Sequence, residues 1–374
     1  MKLLDDWARK KTDMLTFVQL KEGISLGIEG YQVPKGGLYV PILTSELANR
    51  IQSVPEDMVL TIPSIIRGIL YVIAADSEFV HRKAYEHFVD KLKNETREIA
   101  METAEGFEKE GDFEEAAMFM RGYCTLYDDD VQCQTMLSAF YVRLAGSGKM
   151  TDSKLENAFM IEALRILESD KMQNEQDVLM LFYLGTVYQW QKSYIKAEKT
   201  WQRALDQVQK SGIKKLITNK LKEVFPYARY EEGYQLVIQG SPKNGLDLLT
   251  PLLKEMPGWW NLHFFIAVAY QQLSEWEQAI HHYGKVLEIR GYHQQTAIEL
   301  SEIYLAKNDH EKAVHWMEEV LLQKPGDPEL LCRMALMKAY TGNMTEAFEY
   351  VTAAEDAGGE PALLASIKER LNAL

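Results

Sequence analysis

Cysteine is scarce: Cys124, Cys133 and Cys332 are three in 374 residues, widely spread, with no CxxC and no histidine at ligand spacing. That argues against a disulfide framework and a thiolate metal site, and the three read as reduced thiols. Long hydrophobic runs are missing too. The longest apolar stretch, IIRGILYVIAA at 65 to 75, is interrupted by Arg67 and falls short of the roughly 20 residues a spanning helix needs. The opening MKLLDDWARKKTDM has acids and a tryptophan where a secretory leader needs an apolar core, so no leader is expected and a cytoplasmic protein is.

Positive charge is in deficit, with 41 Lys and Arg against 55 Asp and Glu and a formal net charge of −14. Such a surface repels a phosphate backbone and disfavours general nucleic-acid binding. One segment departs from this: residues 191 to 222 hold nine Lys or Arg against Glu198 and Asp206. Catalytic signatures are absent as well: there is no Walker-type phosphate loop, GxGxxG, GxSxG or HExxH. His281 and His282 are adjacent in sequence and point in different directions on a helix, and no Cys or carboxylate completes a ligand set with them, His263 and His293. Surface or packing histidines are expected, with no metal and no cofactor. Acid pairs such as Glu114-Glu115 and Glu318-Glu319 fall on helix faces expected to be solvated, so acid/base catalysis is not expected of them.

What is present is apolar and periodic. With 47% hydrophobic and 26% charged residues the chain is not disordered, and 374 residues exceed one ordinary core. The stretch GWWNLHFFIAVAYQQLSEWEQAIHHY (258 to 283) shows the rule: in a unit starting at Trp260, Ile266-Ala267, Tyr270, Ala279 and Tyr283 take positions 7-8, 11, 20 and 24. Thirty-four residues later Leu300-Ser301, Tyr304, Ala313 and Met317 repeat the pattern from Gln294, with Pro325 at position 32. From Pro328, Met334-Ala335 and Ala347 do so again, with Lys338 in place of the aromatic at position 11. From Pro226, Gly233, Leu236, Leu249 and Pro257 keep register, with Gly245 where alanine is expected. Upstream, Val178 starts the best match: Leu181, Leu184-Gly185, Tyr188, Ala197, Trp201 and Ala204. Units from Arg97 (Ala104, Phe107, Ala116, Met120) and Val131 (Leu137-Ser138, Tyr141) precede it, the second helix of the latter displaced by the loop AGSGKMTDS. Small residues at 8 and 20 let two helix axes approach, and large ones at 11 and 24 fill the space beside them. A lone pair cannot bury such faces, so neighbouring pairs must stack.

The pattern LxxLGxxY followed by Ala197 and Trp201, with its downstream relatives, resembles the tetratricopeptide repeat over roughly residues 97 to 361. The resemblance implies an all-α fold, a right-handed α-α superhelix of stacked pairs, here with a β-prone N-terminal segment. Domain limits of 1-60 and 61-374 are expected. TIPSIIRGILYVIAADSEFVHRKAYEHFVDKLKNE (61 to 95) reads as a degenerate first pair, and PALLASIKERLNAL (361 to 374) as a capping helix. In the first 44 residues, MLTFVQL, ISLGIEGYQV and GLYVPIL are β-prone runs that suggest a hairpin or meander. Fourteen extra residues between the units at 178 and 226 keep helical periodicity and predict a longer or an added helix.

The resemblance further implies that positions 2, 5, 6, 9, 12 and 13 of each first helix face the concave side. There the sequence places Phe182, Tyr183 and Trp190, then Tyr227, Tyr230 and Tyr234, then Asn261, Phe264 and Gln271. Rings interleaved with amides are the mixture enriched in binding hot spots. Their neighbours Glu98, Glu102, Glu105, Glu108, Glu299 and Glu302 are acidic. The expectation is a non-catalytic, cytoplasmic, bacterial scaffold for protein-protein interaction. It binds an extended peptide or helix whose apolar anchors are flanked by Lys or Arg. The alternatives are nucleic acid on the basic segment 191-222, through Lys196, Lys199, Arg203, Lys210, Lys214 and Lys215, or an enzyme with its site in the unassigned N-terminal region.

Overall fold

A computed structural model describes residues 2–53, 60–148, 150–173, 177–209 and 211–373. The chain divides into two compact units, Met1–Val224 and Phe225–Leu374. The first unit begins with α1 (Lys2–Arg9), strands β1 (Leu15–Leu20) and β2 (Leu38–Leu43), α2 (Thr44–Ser53), α3 (Ile62–Ala75) and α4 (Arg82–Asp90). Helix pairs follow: α5 (Lys93–Glu110) with α6 (Phe113–Leu126), α7 (Val131–Gly146) with α8 (Ser153–Leu167), and, after the short α9 (Asp170–Gln173), α10 (Val178–Trp190) with α11 (Tyr194–Gln207). Helix α12 (Ser211–Ile238) absorbs the extra residues as one lengthened helix and carries Pro226 inside it.

The second unit pairs the end of α12 with α13 (Pro242–Leu249), which tightens into a 3-10 segment (Thr250–Lys254) where Pro251 withholds its backbone donor. Then come α14 (Trp260–Gln272) with α15 (Trp276–Arg290), α16 (Gln294–Ala306) with α17 (His310–Gln323), α18 (Pro328–Tyr340) with α19 (Met344–Asp356), and α20 (Pro361–Ala373).

The two strands pair antiparallel with Val18 opposite Val40 and Leu20 opposite Leu38. Leu20, Leu38, Val40 and Ile42 are buried while Phe17, Gln19 and Tyr39 are exposed, the alternation of a sheet with one covered face. The middle run ISLGIEGYQV forms no strand. Gly27 (φ 71) and Gly30 (φ 70) turn the backbone left-handed inside it and break the extension its side chains favour. Helix α3 is apolar on nearly every side, because it lies between β2 and α6. At Gly68 an added Cβ would stand 1.8 Å from the Pro41 carbonyl oxygen, and at Gly122 of α6 it would stand 2.0 Å from that of Leu70. Helix α1 joins this core through Leu4, Trp7 and Ala8, with Trp7 edge-on to Phe159 at 5.1 Å. Lys11 is clasped by Glu114 at 2.9 Å and Glu115 at 2.8 Å.

One turn recurs between the helices of a pair. Position 15 is left-handed in six units: Gly111, Gly240 and Gly342, but also Lys192 (φ 61), Ser274 (φ 60) and Asn308 (φ 60). The residue after it bonds back to the carbonyl of position 11: Asp112 to Phe107, Ser193 to Tyr188, Ser241 to Leu236, Glu275 to Tyr270, Asp309 to Tyr304, Asn343 to Lys338. This is the Schellman arrangement that ends a helix and reverses the chain. Asp112, Asp309 and Asn343 then cap the second helix with their side chains.

The two departures from the repeat have local causes. Gly245 stands where alanine is usual because its Cβ would meet Val237 Cγ2 at 2.5 Å and the Gly233 carbonyl oxygen at 2.9 Å. Lys338 replaces an aromatic ring with a charged post, its amine 3.4 Å from Glu318 and 3.0 Å from Glu346. In the unit from Val131 the displaced helix α8 still buries Phe159, Ala163 and Leu167, with Phe159 5.2 Å from Tyr141.

Candidate functional site

In the first unit, α5, α7 and α10 are the first helices of three successive pairs. Between them opens a cavity of about 750 Å³. Its lining follows the repeat position by position: Gln132 and Leu179 at 2, Met101 and Thr135 at 5, Met136 and Tyr183 at 6, Glu105 and Ala139 at 9. Glu108 at position 12 and Lys109 and Arg143 at 13 complete the rim. Ala139 and Phe140 are buried in the floor, and Leu179 stays exposed. Arg143 is ion-paired with Glu108, and its guanidinium lies 5.4 Å from the Phe113 ring. Beyond that pair the α5 edge is acidic: Glu98, Glu102 and Glu105 are exposed, and none has an ion-pair partner among the described residues.

Of the residues expected here, Tyr183 is buried at the cavity wall and Phe182 is half-buried beside it, edge-on at 5.3 Å. The Phe182 carbonyl accepts the indole N–H of Trp201 at 2.9 Å. Trp190 is exposed at the end of α10 and outside the cavity lining. Met101, Met136, Leu179 and Arg143 were not among the expected residues. Reading positions 2, 5, 6 and 13 of the units at 97, 131 and 178 is the signal that finds them.

In the second unit the tyrosines of α12 form a ladder. Tyr230 lies 4.3 Å from Trp259 and 5.3 Å from Tyr234, Tyr234 stacks on Phe265 at 5.0 Å, and Tyr227 meets Trp259 edge-on at 5.5 Å. All three tyrosines are half-buried, so each ring divides its area between neighbours and solvent. Burial pushes the Tyr230 hydroxyl well above the usual phenol range, which keeps it a neutral donor. Phe264 is edge-on to Phe265, Tyr283 and His293. Gln271 accepts from the Tyr283 hydroxyl at 2.6 Å and donates to Glu299 at 2.8 Å, a fixed amide. Asn261 is half-buried at the start of α14. Trp259, which anchors the ladder, precedes its helix and so escaped a reading confined to helix positions.

Other chemistry has less support. The cysteines are buried and free, and burial pushes the Cys133 thiol up to about 12, the opposite of an activated nucleophile. Among the described residues there is no group of three or more His, Cys, Asp or Glu arranged to hold a metal ion. No helix among them is long and apolar enough to cross a membrane. On the basic segment, Lys196, Lys199, Arg203, Lys214 and Lys215 are exposed, and Lys196 lies over the Tyr188 ring at 5.3 Å. Lys220 is held by Glu223 at 3.0 Å, and Lys210 lies outside the described residues.

The tetratricopeptide repeat family profile matches residues 272–336, which run from the end of α14 into α18. No curated protein sequence matches the chain. Solved structures similar to it include the type IV pilus biogenesis factor PilW, at 14% identity and TM-score 0.42 over 62% of this chain and 98% of that one. MamA 41-end from Desulfovibrio magneticus RS-1 is 18% identical, with TM-score 0.34 over 50% of this chain and 95% of that one. A tetratricopeptide repeat protein from Parabacteroides merdae is 12% identical, with TM-score 0.35 over 73% and 98%. A thirty-four-residue register and a recurrent left-handed turn at position 15 run through the helix pairs, and within them residues 272–336 match the tetratricopeptide repeat family.

Proposed function

We propose that the chain is a non-catalytic protein-protein interaction scaffold whose first-helix faces bind an extended peptide or a helix of a partner. The observation that carries this reading is the cavity between α5, α7 and α10, lined at the repeat positions that face one side in three consecutive pairs. A floor of Met101, Met136, Ala139 and Phe140 suits an aliphatic or thioether anchor, and two methionines let it adjust to the anchor's shape. The acids Glu98, Glu102 and Glu105 suit Lys or Arg beside that anchor, giving on-rate and register. Phe182, Tyr183 and Trp190 are the proposed aromatic contacts of the first unit. Tyr227, Tyr230, Tyr234, Asn261, Phe264 and Gln271 are those of the second, where rings backed by neighbouring rings present area at low entropic cost. A cytoplasmic setting goes with this reading and is supported by the free thiols.

The test begins with capture of partners on the immobilised full chain, with and without nuclease, and mapping of the bound partner segment. Leu179→Arg, at an exposed cavity residue, removes apolar contact and repels a basic flank. It is expected to weaken binding by about 2 kcal/mol, roughly thirtyfold, with little change in melting temperature. Tyr230→Ala with Tyr234→Ala tests the second unit by the same pair of readouts. Unchanged affinity in both variants, or capture that depends on nucleic acid, would contradict the reading.

A further inference from the structure

Inside the pair α14 and α15 two imidazoles meet head on. His263 Nδ1 lies 3.0 Å from His282 Nδ1, and His263 Nε2 lies 3.0 Å from the Pro257 carbonyl oxygen. A carbonyl only accepts, so Nε2 of His263 carries a proton. In the neutral ring its Nδ1 is then bare and accepts the Nδ1–H of His282. Both rings are buried, at 7% and 9% exposure, and Tyr270 stacks over His282 at 5.8 Å.

The pair can take one further proton, on His282 Nε2, and keep its shared bond. A second can go only to His263 Nδ1, where two N–H groups would then face each other across 3.0 Å. We propose that His263 and His282 form a proton-operated latch, which holds α14 against α15 while both buried rings are neutral, loosens when the buried His282 becomes a cation, and loses the shared bond when both rings do.

The surroundings favour the neutral state. Burial, then the neighbouring His263 and His281 rings, hold His282 down from 6.5 to about 4. On α15 the Glu288 carboxylate interacts with His281 and His263 and is itself held by Lys285 at 2.7 Å. Glu299 and Glu302 of α16 act on Tyr283 instead. Lys243 and Asp247 of α13 and Lys254 of the 3-10 segment are solvent-exposed. Because the folded value lies below the unfolded one, the unfolded chain takes the proton first as pH falls. The stabilisation is therefore complete above 6.5 and is lost as pH falls toward 4. Opening would also separate Tyr283 from Gln271 and so disturb the face that carries Phe264.

Hydrogen exchange of the full chain, corrected for intrinsic rates, between about pH 7.5 and about pH 4.5 tests this. Peptides from α14 and α15 are expected to lose protection about tenfold or more beyond those from α18 and α19. His282→Gln should remove most of that extra loss, and His315→Gln, at an exposed ring of α17, should leave it intact. If His282→Gln does not fold, the parent's imidazole resonances serve instead: two coupled rings, one titrating well below the ordinary histidine range together with the loss of protection. Equal loss in both helix pairs, an unaltered loss in folded His282→Gln, or a His282 ring that titrates normally would overturn the latch.

Discussion

Gly122→Ala is expected to destabilise the first unit by about 3 kcal/mol or more, although it adds a single methyl group. The new Cβ would stand 2.0 Å from the Leu70 carbonyl oxygen, 2.6 Å from its carbon and 3.0 Å from its Cα. All three are backbone atoms of α3, so no change of rotamer relieves the contact and the two helices must separate. Separation opens the interface that buries Ile65, Ile66, Ile69 and Leu70, the centre of the unit. Gly106→Ala is the control: it lies in a neighbouring helix, and nothing stands within 4 Å of its added Cβ. That substitution should be neutral or slightly stabilising, since alanine favours a helix. Denaturant unfolding followed by circular dichroism reads both, and equal stability of the two variants would mean that α3 and α6 do not cross as closely as described.

Trp201→Ala should cost about 4 kcal/mol. The ring is fully buried, packs against Gly185 so closely that an added Cβ there would meet its Nε1 at 2.5 Å, and donates that N–H to the Phe182 carbonyl at 2.9 Å. Truncation leaves a cavity between α10 and α11 and removes one of the bonds to the Phe182 carbonyl, which still accepts from the Thr186 hydroxyl at 2.9 Å. Trp190→Ala removes the same side chain from an exposed position and should change stability by less than about 1 kcal/mol. The comparison isolates position 24 as a packing site, and a Trp201 variant as stable as the Trp190 variant would refute it.

The repeat was legible because close approach of two helices constrains residue size at fixed spacing, and Gly185 with Trp201 or Ala267 with Tyr283 record that in the sequence. The pair turn was less legible. Lys192, Ser274 and Asn308 adopt the left-handed conformation without being glycine, because the bond from position 16 back to position 11 holds them there. The run ISLGIEGYQV shows the reverse error: its side chains favour a strand, but Gly27 and Gly30 turn left-handed and end it.

The candidate site was half legible. The tyrosine stripe at i, i+3 and i+7 is a local pattern, so it could be read from one helix. The cavity needs Met101, Met136 and Leu179 from three separate helices, and no single segment displays that grouping. Whether a ring on such a face packs or binds depends on its neighbours across the pair. Tyr230 lies 4.3 Å from Trp259, a contact that periodicity within α12 does not encode.

The central claim, that first-helix faces meet protein partners, is tested most directly by a photo-crosslinking amino acid placed at Leu179 in the cavity or, in parallel, at Ile161, which is exposed on the second helix α8. The expected result is discrete, nuclease-insensitive protein adducts from position 179 that are missing from position 161. No adduct from the cavity, or the same adducts from both positions, would contradict it.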